Sequence, residues 1–506
     1  MSSTISVSLP TPSSLSRYFW LFIIIHTLIW TIGPAMFRNT LPHDTLEGIT
    51  WGMQWQLGYN KHPFLTAWLC AGVTSLFGTV GWPVYLLAQV VVSITFIAAW
   101  QLAKQFLSPV QALLASLALE GVLFYNINSF NLTPDTLQSP LWALLSLFFY
   151  KALLTQRINY WILTGLFAAL GFLTKYQIMI LFCSMIVFCC INPTARSSFR
   201  KPGLYIAAIV FFLLILPHLI WLFNHQFITL KYAEHVSEFY TQTKNTLNHI
   251  VFPLRMFINY FISSIGLLFL LWPLYKSKSN AHSLNDFNKQ FVLLIGLGPA
   301  ILTLLINALT GDYFPPRWAT PYFFALGILI IAWINPRITV SQLKQFSLTL
   351  ILFSLFLFST RMISMSLLPR VSSDAYLPNQ DIAQFITKLW HDHYHTKLHF
   401  LAGSNYLVSG VTPYITDKPL PYLNWSQTSS PWIHESSLNR HGGLFIWDKG
   451  HNYAWDLDSW ANTSLPPNLL TKFPRLIVLP DMTFFRTSDH SIIVLGIALL
   501  PPHSST

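Results

Sequence analysis

Apolar runs of membrane-crossing length recur along this chain and leave it little choice of fold. A helix needs roughly 20 apolar residues to cross a bilayer. Runs close to that length fall at 18–36, 84–103, 109–127, 203–222, 256–275, 290–309, 319–335 and 347–367. Residues 138–191 are apolar nearly throughout, and Lys151, Arg157 and Lys175 divide them into three shorter crossings. About eleven spans are therefore expected. Only 9% of the 506 residues are charged and 53% are hydrophobic, with a mean hydropathy of +0.49, whereas a soluble domain carries about 25% charged residues. That excludes a soluble fold. The first run follows Arg17 and is followed by bulky Phe37 and Arg38 without a small-x-small cleavage pattern, so an uncleaved first span is expected.

Charge orients these spans. The net charge is +11, but Lys and Arg stand in ones and twos between apolar runs rather than in a stripe, which argues against nucleic acid. Arg17, Lys104, Lys151 with Arg157, Arg196 with Arg200 and Lys201, Lys276 with Lys278, and Arg337 with Lys344 mark every second turn as cytoplasmic by the positive-inside rule. The outward segments are then 37–63, 128–137, 174–176, 223–255, 310–318 and everything after about 368. Phe64 to Thr79 breaks the alternation and reads as a re-entrant or interfacial helix. Composition turns polar and aromatic from residue 368, with strand-like stretches at 398–402, 443–447 and 476–479. We therefore expect a membrane helical bundle over 1–367 and an extracytoplasmic α/β domain over 368–506. Cys70, Cys183, Cys189 and Cys190 all lie in apolar segments and imply neither disulfides nor a metal cluster.

The outward loops hold the unusual polar residues. Asp44 and Glu47 are three apart in the first and would share one face of a helix. A carboxylate there can act as general base on an acceptor hydroxyl or hold a divalent cation. The same spacing resembles a capping box, with Asp44 as the cap and Glu47 at the third helical position. Asp135, in Thr133-Pro134-Asp135, is the only acid of the second loop and also suits a helix start. Lys175 lies between two apolar runs, where an ammonium is costly without an anionic partner, and a lipid phosphate fits that need. Arg317, beside two prolines and Trp318, can hold phosphate bidentately or anchor the interface. Lys231 and His235 are weaker candidates, and Glu120 lies deep within a run, as a residue on a transport pathway would.

Together, Asp44 and Glu47, Lys61-His62-Pro63-Phe64, Pro134-Asp135, Leu173-Thr174-Lys175 and Pro316-Arg317-Trp318 resemble the GT-C glycosyltransferases of the protein O-mannosyltransferase and aminoarabinose lipid A transferase type. The resemblance covers about residues 15–340. It implies a GT-C bundle of about 11–13 transmembrane helices in the plasma (inner) membrane. It also implies a polyprenyl- or dolichyl-phosphate sugar donor, inversion at the anomeric carbon, and a lipid or protein acceptor presented from the extracytoplasmic side. In its terms Asp44 is the candidate base, with Asp135 and Glu47 as the further catalytic acids. Lys175 and Arg317 suit the donor phosphate, and His62, Lys61 and Tyr176 complete the substrate-binding candidates. Two departures stand out: the motif reads His-Pro-Phe rather than His-Pro-Pro, and the acids are DTLE rather than adjacent. A transporter or lipid flippase is the competing class, and it would carry ionisable residues near mid-membrane in several spans, often with an internal repeat. A non-catalytic assembly or sensor protein is the third.

Overall fold

The computed structural model describes residues 10–241, 245–277, 284–367, 374–449, 465–486 and 492–503. Lys278 and the expected domain junction at 368–373 lie outside them. All eleven apolar runs are helical. Among the described residues, seven helices are long and apolar enough to cross a membrane, or nine if each of two bent pairs counts as one span. Two departures from straight spans have visible causes. The run at 109–127 leaves the α-helical path after Leu117 and continues as 3₁₀ turns at Ala118–Gly121 and Leu123–Tyr125. There Gly121 meets the backbone of another helix so closely that a Cβ would lie 2.1 Å from the Leu267 nitrogen. The run at 290–309 bends by 45° between Asp286–Gly296 and Gly298–Thr310, where Pro299 cannot donate its backbone bond.

The chain forms two compact units, each discontinuous in sequence. The first comprises 1–33, 85–221 and 237–361. It is helical, with a core built from residues such as Phe96, Trp142, Phe149, Trp161 and Phe291. Much of its outer surface is apolar, with Ile209, Phe212, Ile262 and Phe356 all exposed, which is stable against acyl chains and costly against water.

The second unit comprises 34–84, 222–236 and 362–506. It holds a five-stranded mixed sheet of β1 (Phe400–Gly403), β2 (Leu420–Leu423), β3 (Gly443–Asp448), β4 (Ile477–Phe485) and β5 (Ile492–Leu500), in the order β2-β1-β3-β5-β4. β1 runs parallel to β2 and β3, whereas β5 is antiparallel to β3 and β4. Pro421 and Pro480 lie in the two edge strands, where a missing N–H costs no ladder bond. The helix Asn379–Tyr394 packs Ile382, Ile386 and Trp390 into the core with Leu401, Ile446 and Ile497.

Trp51, Tyr59 and Ala67 belong to that same core, so the segment after the first span folds with the C-terminal sheet. The helix His43–Gly52 crosses the helix Leu65–Phe77 at Gly52, whose Cβ would lie 2.0 Å from the Ala67 oxygen. Only glycine fits that crossing. At 13 residues, Leu65–Phe77 is too short to span a bilayer. It ends at Gly78 with φ of +64°, a conformation that glycine adopts without strain.

Candidate active site

The second unit carries Asp44, Glu47, Lys61 and His62. The helix His43–Gly52 begins after Pro42, which supplies no side-chain cap, so the expected capping box does not form. The acceptor comes instead from Asp374, whose Oδ2 takes the His43 N–H at 3.1 Å. Asp44, second in the helix, is half-buried. Glu47 is buried, and its Oε1 accepts from Lys61 Nζ at 2.7 Å and from Asn405 Nδ2. The Lys61 ammonium also faces the rings of Tyr232 at 5.6 Å and Trp51 at 5.9 Å. His62 lies in a tight turn, where its carbonyl accepts the Tyr59 N–H at 3.0 Å. Lys231 and His235 are exposed on the helix Ile228–Thr241.

The first unit carries Asp135, Lys175, Tyr176 and Arg317. Thr133 caps the helix Pro134–Thr155 by accepting the Thr136 N–H, and Pro134 occupies its first turn, so the expected helix start is present with Thr133 as the cap. Asp135 is thereby left to another task. Its Oδ1 accepts from Lys175 Nζ at 2.6 Å, with both residues buried. The expectation that Lys175 needs an anionic partner is met inside the protein by Asp135.

Lys175, Tyr176 and Gln177 lie in the break between the helices Ile158–Phe172 and Ile178–Ile191, and each is anchored on a different element. Lys175 reaches Asp135, and its ammonium lies 4.5 Å from the centre of the Trp318 ring. Tyr176 Oη bonds His218 Nε2 at 2.7 Å, from the helix Pro202–Asn224. Gln177 Nε2 donates to the Trp318 carbonyl and to Tyr322 Oη, the latter at 2.8 Å. Beneath the break, Gln138 Nε2 donates to the Gly171 and Lys175 carbonyls at 2.6 and 3.0 Å. Arg317 is exposed, immediately before Trp318, and its carbonyl accepts the Thr320 hydroxyl at 2.6 Å. His218 was not singled out from the sequence, because a lone histidine in an apolar run reads as core.

Elsewhere in this unit Glu120 meets His26 Nδ1 at 3.0 Å and accepts the Ser354 hydroxyl at 3.1 Å, with both ionisable side chains almost fully buried. Among the described residues, no group of three or more His, Cys, Asp or Glu side chains is arranged to hold a metal ion.

Residues 61–221 match the family model described as dolichyl-phosphate-mannose-protein mannosyltransferase, a stretch that includes Lys61, His62, Asp135, Lys175, Tyr176 and His218. Over 331 residues the chain is 20% identical to the lipid A galacturonosyltransferase RgtD of Rhizobium johnstonii (strain DSM 114642 / LMG 32736 / 3841). That alignment takes in 62% of this chain and 65% of the relative's length. Among solved structures, ArnT from Cupriavidus metallidurans bound to undecaprenyl phosphate matches with a TM-score of 0.61 and 11% identity, over 95% of this chain and 98% of that one. Its apo form matches with a TM-score of 0.58, again at 11% identity, over 96% and 98%. The chain has the fold of these ArnT structures. The likeness in fold spans nearly the whole chain. The protein is a multi-pass membrane protein with a small C-terminal sheet.

Proposed function

We propose that this protein is a GT-C glycosyltransferase that transfers a sugar from a polyprenyl-phosphate donor to a lipid A, envelope-glycan or protein acceptor on the extracytoplasmic side of the inner membrane, with inversion. The observation that carries the reading is the buried Lys175 ammonium, held on Asp135 and under Trp318 next to exposed Arg317. Asp135 already supplies the counter-charge of this ammonium, and with Arg317 one residue before Trp318 the cluster offers cations on which a phosphate can be held bidentately. The likeness to a transferase solved with undecaprenyl phosphate names a fitting anion.

In this reading the acceptor oxygen attacks the anomeric carbon, the bond from that carbon to the donor phosphate breaks, and the acceptor proton passes to Asp44. One displacement at one carbon gives inversion. Charge develops on the departing phosphate, where Lys175 and Arg317 stabilise it. Removing one such contact costs about 2.7 to 4 kcal/mol of barrier. Glu47 and Asp135 hold the charges of Lys61 and Lys175.

The test compares lipids, glycans and proteins by mass spectrometry from cells with and without the gene, complemented by wild type or Lys175→Gln. One sugar-bearing product should vanish with the gene and with the variant. If the two strains carry identical glycans and lipids, the transferase reading fails.

A further inference from the structure

The helix that presents Asp44 has ten residues, and helices that short are marginal without tertiary support. Its support comes from the C-terminal part of its own unit. At the leading end, Asp374 Oδ2 accepts the His43 N–H at 3.1 Å and Oδ1 accepts Arg38 Nη2 at 2.8 Å. Arg38 Nε donates to the Thr40 carbonyl at 3.1 Å, and the Asn39 N–H to the Ala375 carbonyl at 3.0 Å. The Thr40 hydroxyl meets Asn379 Nδ2 and Tyr414 Oη, each at 3.1 Å. At the trailing end, buried Asn405 donates to Glu47, and the Thr50 hydroxyl donates to the Ser409 carbonyl at 3.1 Å. Asn405 is fixed in turn by Asn424 Oδ1 on its N–H at 2.7 Å and by the Ser409 hydroxyl on its Oδ1 at 2.9 Å.

We infer that Asp374 is a positioning residue for Asp44: it caps the first-loop helix from the C-terminal domain and, with Asn405, fixes the direction in which Asp44 is offered to an acceptor. The inference rests on the reading of Asp44 as base. It assigns the C-terminal domain a task in transfer, that of a template on which the first loop folds. The chemistry of the cap supports this. The orphan N–H groups of a helix start carry partial positive charge, so a carboxylate is the fitting acceptor.

The experiment uses the full chain in nanodiscs and follows hydrogen exchange along His43–Gly52, binding of undecaprenyl phosphate, and glycan product in complemented cells. Asp374→Asn keeps size but offers one carbonyl oxygen where two acceptors are needed. Exchange at His43–Gly52 should accelerate and product fall by about tenfold or more, as for a misplaced reacting group, while undecaprenyl phosphate binding stays unchanged. Asp374→Glu should restore part of both. It also decides the matter if Asp374→Asn fails to accumulate. Asp381→Asn, on an exposed turn of the helix Asn379–Tyr394, should change nothing. Unaltered exchange in Asp374→Asn overturns the cap, and accelerated exchange with full product overturns the positioning role. Absence of product from wild type would instead remove the transferase reading, and the exchange arm would still report on the cap.

Discussion

The Lys175 ammonium donates to the Asp135 carboxylate at 2.6 Å, across 40 residues of sequence, and the Trp318 ring covers it. The pair joins the start of one helix to a break between two others. It is neutral as a unit, so an arriving phosphate gains most if it draws Lys175 toward itself while Arg317 supplies a further cation.

Breaking this pair from one side should cost more than removing it. Asp135→Asn leaves a buried ammonium without its carboxylate, a change that costs about 3 to 5 kcal/mol in buried pairs. Asp135→Leu with Lys175→Met should recover much of that stability and yet bind no undecaprenyl phosphate. Unfolding temperature in detergent and a lipid-phosphate binding isotherm, run on the same samples, check both statements. Equal binding by the double variant and wild type would place the phosphate elsewhere.

Glu120 is the acid furthest from any loop in sequence, and its partners are His26 and Ser354. Glu120→Ala should cost about 1 to 3 kcal/mol by leaving buried His26 and the Ser354 hydroxyl without their acceptor. Glu120→Gln keeps an acceptor and should cost about 1 kcal/mol, the net worth of an ordinary hydrogen bond. A transport role would make both variants inactive without loss of fold, so yield and unfolding temperature separate clamp from pathway.

Sequence periodicity exposed the spans because lipid demands long apolar runs, and it flagged Lys175 because an unpaired ammonium there is costly. It did not say which anion answers Lys175, since Asp135 and a lipid phosphate satisfy the same need. Asp44 and Glu47 at helical spacing read equally well as a cap or a catalytic pair. The cap is Asp374, separated from His43 by 331 residues, and no local pattern announces a contact that distant. His218 was hidden for a similar reason: its meaning comes from Tyr176, on another helix.

The sheet unit carries its own pH dependence. Desolvation, the neighbouring His441 and Lys397 hold the His399 imidazole below its ordinary value of 6.5, with Asp417 opposing, and the two histidine rings lie 4.8 Å apart. A depressed imidazole binds its proton more weakly in the fold than in the unfolded chain. Stability therefore suffers no penalty from His399 above pH 6.5 and is lost as pH falls from there toward the depressed folded value. Unfolding temperature followed against pH should show that slope in wild type and a flatter one in His399→Gln.

Asp44→Asn separates the base from the scaffold. Asp44 neither supplies the N-cap nor sits in the apolar core, and the helix start is held by Asp374. Removing the Asp44 charge forfeits its favourable interaction with the helix N-terminus, about 0.3 to 1 kcal/mol, while Asn at this position keeps the size of the side chain. The variant should therefore insert normally, unfold near the wild-type temperature and bind undecaprenyl phosphate as wild type does. What it loses is the proton acceptor, and general base catalysis contributes about 10²- to 10⁴-fold, so a hydroxyl acceptor should react slower by that factor at constant donor KM. A phosphate acceptor is already anionic and needs no such base, so for it the defect should be far smaller. The size of the loss then reports which acceptor class the protein serves. Full activity of well-folded Asp44→Asn protein toward a hydroxyl acceptor would remove Asp44 from the chemistry and, with it, the reason for Asp374 to hold the helix so firmly.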